Sequence, residues 1–528
     1  MLHTLYATDG MVVAPHHLAA QAGRDVLRDG GNAVEAMVAA AAAIAVVYPH
    51  MNAIGGDGFW LIHEPGREPV AIDACGPAAA LADRDFYDGL TAIPERGPKA
   101  ALTVPGTIDG WRLALSLATH WGAPLGLPHL LAPAIRHARD GFAVTRGQRT
   151  LVRGKFEQLA ALPGFAETYL AGGRVPDIGE RLRLPRLAET LDTLASCGLR
   201  DFYEGGLAAA MDAELRRIGS PVRSADLAAY RAEAVAPLAL QTRVGRVFNL
   251  PPPTQGLATL MIIGLFERLG VGRADGFEHV HGLVEATKLA FLARDRVVSD
   301  PPRVPVAPRS LLTANYLDSL VRDISPANAR PWPEAPVGGD TVWMGAVDGE
   351  GRAVSFIQSV YWEFGSGVVL RESGIGWQNR GISFSLDAHA LNALEPGRKP
   401  FHTLNPSLAL FDDGRVMPFG TMGGEGQPQT QAAVFSRYAL FGQSLQQAVS
   451  GPRWLLGRTW GDDDTRLKLE SRFDAALVEA LRAAGHQVEF LADAFHNCMG
   501  HAGALVQRPD GIIEGAADPR SDGVVAAL

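Results

Sequence analysis

The stretch "NAVEAMVAAAAAIAVVYP", residues 32–49, does most to limit what this chain can become. It opens on an Asn suited to capping a helix, is apolar on every face, and stops before Pro49. A helix of that kind has no side to offer to water, so it must lie inside a core with other elements packed around it. It is also shorter than the roughly 20 residues that a membrane span needs.

The rest of the chain can supply such a core. Its 528 residues are 47% hydrophobic and 20% charged, enough for one large domain or two modest ones. A formal charge of −9 without any dense Lys/Arg run argues against a nucleic-acid or membrane partner and for a small-molecule substrate. Cys75, Cys197 and Cys498 are scattered without CxxC spacing, which indicates neither a disulfide framework nor a zinc site. The N-terminus lacks a basic region followed by an apolar one, so a cytoplasmic location is expected.

Turn signals divide the chain. Residues 16–29 have helical periodicity, and Phe59–His63 and Val70–Asp73, joined by "EPGREP", read as a hairpin. From about 128 to 240 the pattern is helical, ending in "SADLAAYRAE" with a Ser cap. "FEHVHGLVEATKLAFLARDR" is an amphipathic helix on which His279 and His281 point to different faces, a poor arrangement for sharing a metal ion. Residues 324–340, "ISPANARPWPEAPVGGD", read as a flexible linker. Beyond it come hairpins with "DGEG" and "DDG" turns and helices near 427–450 and 472–485, which suggests stacked sheets covered by helices. "GDDDT" at 461–465 lacks the alternating ligands of a calcium loop and reads as a solvated acidic turn.

Thr341 stands at the junction of linker and hairpin. A threonine hydroxyl is a weak nucleophile, and the chain has no GxSxG elbow, HExxH pair or P-loop to supply other chemistry. Cleavage after Asp340 would give Thr341 a free α-amine of pKa about 7.7–8.0, able to act as its general base. On spacing alone, an ordinary strand threonine exposed after a loop is the better fit.

Seven ordered blocks bear on that choice: "GGNAVEAMVAA", "MNAIGGDGFWLI", "TVPGTIDGW", "LPPPTQG", "VEATKLAFLARDR", "DTVWMGAVDGEGRAVSFIQSVYWEFGSGVV" and "MGGEG". Together they resemble the γ-glutamyltranspeptidase family of N-terminal nucleophile hydrolases along nearly the whole chain. The resemblance implies an α+β, four-layer αββα sandwich made as a single-chain proenzyme and cut between Asp340 and Thr341. A large fragment, 1–340, and a small one, 341–528, would then form one folded heterodimer, with a dimer of heterodimers as a further option. It further implies Thr341 as nucleophile, Gly423 and Gly424 as the oxyanion hole, and Ser359 as a hydroxyl hydrogen-bonded to Thr341. His402 and Thr403 stand where the family has two serines on the substrate carboxylate. Neither metal nor cofactor is implied.

The departures from the family bear on substrate. Cys75 of "DACGPAA" replaces the arginine that grips a γ-glutamyl α-carboxylate, Ser383 of "NRGISFS" replaces the acid for its ammonium, and Tyr361 replaces an asparagine. Removing one partner of a buried charge pair costs roughly 2–5 kcal/mol, so γ-glutamyl recognition should be poor. Tyr361, Trp343 and His402 should narrow the site, while Arg380 adds a cation for a small anionic amide. These replacements resemble those of oxamate amidohydrolases, which act in allantoin breakdown. The implied reaction is hydrolysis of oxamate to oxalate and ammonia. A γ-glutamyl hydrolase, a glutaryl-type acylase and an unprocessed, inactive metabolite-binding scaffold are the alternatives.

Overall fold

A computed structural model describes residues 3–122, 124–332, 340–457 and 465–528, with the side chain of Asp340 outside that set. Two seven-stranded antiparallel sheets stack against each other. The first runs Val524–Ala527, Gly10–Ala14, Asp340–Asp348, Ala353–Tyr361, Asp57–His63, Val70–Ala74, Glu233–Val235. The second runs Leu5–Ala7, Ile513–Ala517, Ala502–Gln507, Val416–Thr421, Ser407–Phe411, Gly245–Asn249, Leu238–Thr242.

Side-chain alternation along the strands builds the layers. Trp343, Val347, Ile357, Phe59 and Leu61 point inward and meet Phe248, Leu408 and Leu505 of the second sheet. Their neighbours Val342, Met344, Val354 and Phe356 point outward into a core shared with helices His17–Arg28 and Ala33–Val47. On the far side, Val247, Ala409, Met417 and Phe419 pack against helices Gly256–Arg268, Phe277–Val297 and Gly426–Phe435. This is the expected α+β sandwich of four layers.

The apolar helix is Ala33–Val47, with every residue buried. Asn32 accepts from the Val34 and Glu35 amides, and the Glu35 carboxylate accepts from the Asn32 amide at 3.0 Å, a reciprocal cap. Its burial holds one face of the strands that carry Thr341 and Ser359.

Two expectations need correction. The short helix Ser224–Ala229 is capped by Asp226, whose carboxylate accepts from the Arg223 amide at 2.8 Å, so Ser224 is already inside the helix. The linker is not free along its whole length: Ala329 donates to the Ala484 carbonyl at 2.7 Å and Arg330 to Glu285 at 3.0 Å. Residues 333–339 of that linker and 458–464, most of the acidic turn, lie outside the described residues.

Candidate active site

Thr341 sits where its strand's pairing is irregular. Asp340 opposes Tyr361 and Val342 opposes Gln358, so the register slips at the threonine. Beyond the slip, Tyr361 and Phe364 adopt φ of 82° and 61°, backbone that non-glycine residues take at a cost of order 1–3 kcal/mol and mostly near functional sites. The Thr341 hydroxyl is buried and makes no hydrogen bond among the described residues. Ser359 Oγ, on the neighbouring strand, accepts from the Tyr361 amide at 2.8 Å, so the expected Ser359 to Thr341 bond is absent from the uncut chain.

Asp57 pairs in register with Ser359 and was not singled out by sequence reasoning. Its Oδ1 accepts from the Gly76 amide at 3.1 Å, the Gly106 amide at 3.0 Å and Gln378 Nε2 at 3.2 Å. Its Oδ2 lies 3.2 Å from His402 Nε2. Because the Leu404 amide donates to His402 Nδ1 at 3.3 Å, the ring proton is on Nε2 and is donated to Asp57. Complete burial lifts the Asp57 carboxyl to about 7, against those hydrogen bonds and the nearby Arg380. Burial, then Arg380, keeps His402 well below its ordinary value and hence neutral. Cys75, pushed well up by burial and the neighbouring acids, remains a thiol.

Asp57, Cys75 and His402 offer ligand atoms within 4.8 Å of one another, as do His281, Glu285 and His486. The Nε2 proton of His402 and the protonated Cys75 suit hydrogen bonding better than ligation. In the second group Lys288 already places an ammonium 2.7 Å from Glu285.

Arg380 is buried and stacks over the Tyr361 ring, its Nη1 donating to Thr403 Oγ1 at 3.1 Å. Its Nε and Nη2 have no hydrogen-bond partner, and no carboxylate among the described residues pairs with it. Burial lowers its pKa, with Tyr361, Cys75 and Asp57 opposing. Ser383, in contrast, spends its hydroxyl on the Arg380 and Phe401 carbonyls, both at 3.0 Å. Tyr361 also borders a cavity of about 480 Å³ shared with Trp362, Ser383, Phe401 and Glu425.

Gly423 and Gly424 take φ of 119° and 53°. The Gly424 carbonyl accepts from Gln255 Nε2 at 2.8 Å, and Gln255 Oε1 accepts from Arg294 Nη1 at 3.0 Å. Arg294 in turn pairs with Glu425 at 3.0 Å. This buried Arg294–Gln255–Gly424 chain fixes the glycine turn, and sequence reasoning missed it because Gln255 and Arg294 both lie more than a hundred residues from Gly424.

Trp343 does not narrow the cleft as expected. Its indole lies between the sheets, donates to Ser355 Oγ at 2.9 Å, and fills space left by Gly345, Gly420 and Gly503. Alternation carries residue 343 inward, and the three glycines make the room.

The geometry can be compared with known proteins. The gamma-glutamyltranspeptidase family pattern matches residues 19–528. The chain is 54% identical over 521 residues to the oxamate amidohydrolase proenzyme of Klebsiella pneumoniae, covering 98% of each. It is 40% identical over 531 residues to the glutathione hydrolase-like YwrD proenzyme of Bacillus subtilis, covering 100% of both. Among solved structures, a cephalosporin acylase from Bacillus halodurans superposes with a TM-score of 0.91 at 33% identity, covering 100% of this chain and 97% of that one. On the whole-length match and the shared fold, the chain belongs to the γ-glutamyltranspeptidase family.

Proposed function

We propose that the chain is an amidohydrolase proenzyme that cuts itself between Asp340 and Thr341 and then hydrolyses oxamate to oxalate and ammonia. The observation that carries the substrate is Arg380: a buried guanidinium whose Nε and Nη2 have no partner among the described residues is a site for a small carboxylate. The 54% identical oxamate amidohydrolase proenzyme supports the same substrate.

With the oxamate carboxylate on Arg380 and Thr403, the freed Thr341 hydroxyl attacks the amide carbon while the Thr341 α-amine takes its proton. Gly423 and Gly424 donate to the oxyanion, and the proton passes to the leaving nitrogen, releasing ammonia. Water, deprotonated by the same amine, then cleaves the oxalyl ester and restores Thr341. Ser359 and Tyr361 shape the nucleophile's surroundings, and His402, held by Asp57, closes the carboxylate side. Cys75 and Ser383 carry no charge at the two positions of the γ-glutamyl clamp, so γ-glutamyl anilides and glutathione should react poorly.

A second reading has its own support. The cavity of about 480 Å³ beside Tyr361 exceeds what oxamate fills, and a longer dicarboxylic amide would use it. Ammonia release by cleaved protein from oxamate, glutaryl amides and γ-glutamyl amides separates the two. Turnover of a glutaryl amide without turnover of oxamate would transfer the assignment and leave the Thr341 chemistry standing.

A further inference from the structure

One face of helix Phe277–Val297 carries His281, Glu285 and Lys288, all buried although none belongs to the site around Thr341. Lys288 Nζ pairs with Glu285 Oε1 at 2.7 Å and donates to the Arg330 carbonyl at 2.6 Å. Glu285 Oε2 accepts from the Arg330 amide at 3.0 Å. One residue earlier, the Ala329 amide donates to the Ala484 carbonyl at 2.7 Å.

A histidine chain completes the cluster. His281 Nε2 lies 2.8 Å from the Ser325 carbonyl, which can only accept, so that nitrogen carries the proton. His281 Nδ1 is then bare and accepts from His486 Nε2, also at 2.8 Å. Burial, with Lys288 and His281 close by, drives the His486 pKa to about 3, so its ring is neutral.

Every one of these contacts with residues 325–330 is made to main chain. A buried Lys–Glu pair is weak as a source of stability, since apolar residues of equal volume often do as well. Here the pair spends further hydrogen bonds on the amide and the carbonyl of a single residue, Arg330. The grip also spans the proposed cut, because Ala484 and His486 lie in 341–528 and the helix lies in 1–340. From Arg330 only the ten residues 331–340 lead to Thr341, a reach of at most about 35 Å.

We infer that the cluster is a main-chain clasp: it fixes residues 325–330, sets where the approach to the Asp340–Thr341 bond begins, and holds the end of the large fragment after the cut. The inference rests on the self-cleavage proposed above. His281, Glu285, Lys288 and His486 are positioning residues for that step and take no part in amide turnover.

The test follows the conversion of purified precursor to two fragments. Lys288→Met and His486→Leu should slow it roughly tenfold or more, while His486→Gln, whose Nε2 can still donate to His281, stays within about threefold of wild type. Turnover per cleaved molecule should hold within about twofold in all three. A folded Lys288→Met precursor that cuts at the wild-type rate overturns the clasp. Should the variants fail to fold, amide exchange of the wild type decides: the Ala329 and Arg330 amides should be protected, before and after cutting, and free exchange refutes the inference. A wild type that never cuts refutes the Thr341 reading instead, and amide protection in the intact chain then judges the clasp alone.

Discussion

The guanidinium of Arg380 lies 3.2 Å above the centre of the Tyr361 ring, and Tyr361 directly opposes Asp340 across the strand pair. The ring therefore links the cation to the bond proposed for cleavage, while Nε and Nη2 of Arg380 have no hydrogen-bond partner among the described residues. Replacing it separates binding of a carboxylate from formation of the nucleophile.

Arg380→Ala, once cleaved, should lose about 30-fold to several-thousand-fold in kcat/KM on oxamate, the equivalent of about 2–5 kcal/mol. Arg380→Lys keeps the charge without the planar donor pair and should recover only part of it. Steady-state kinetics on the cleaved variants checks this. Full activity in the alanine variant would show that the carboxylate is held elsewhere.

Thr341→Ala should remain one chain of 528 residues on a denaturing gel, while wild type gives pieces of 340 and 188. An intact wild type with full turnover would end the N-terminal-amine mechanism.

Asp57 should make the fold pH-sensitive. Its folded value of about 7 stands above the unfolded carboxylate value of about 3.9, so the native state holds the proton more tightly. Stability from this group is complete below about pH 4, falls as pH rises to about 7, and is flat beyond, with a slope of at most about 1.4 kcal/mol per unit. Asp57→Asn removes that group, and its melting temperature should fall less between pH 5 and pH 8 than that of the wild type. An equal fall in both proteins would show that Asp57 is ionised throughout.

Gly420→Ala tests the position of Trp343. A Cβ at residue 420 would sit near the indole Cδ1 with no room for either, so the substitution should cost about 1–3 kcal/mol. Adding Trp343→Phe should restore part of that, as measured by denaturant unfolding. Additive losses would mean that the two do not share space.

Local pattern made much of this fold legible. An all-apolar run can only be buried, and "DGEG" and "DDG" close hairpins wherever they stand, so Ala33–Val47 and the strand pairs around Thr341 and Ser407 followed from the chain itself. Asp57 carries no local sign of its role because its partners, Gly76, Gly106, Gln378 and His402, come from four separate stretches. Trp343 was misplaced for a related reason: Gly420 and Gly503 belong to the other sheet, and nothing near residue 343 announces them. Residue type and alternation fix which face a side chain takes, whereas the depth available on that face is set by distant chain.

The strand order has a consequence for the protein as a material object. Gly10–Ala14 runs between Val524–Ala527 and Asp340–Asp348, so a strand from before the proposed cut is hemmed by two from after it. Ordinary partners drift apart when diluted, because their contact is a surface. Pieces braided in this way share a core rather than a surface. They would part only by melting, a sample at nanomolar concentration would be as intact as one in a crystal, and fragments from two different variants would not trade places on standing.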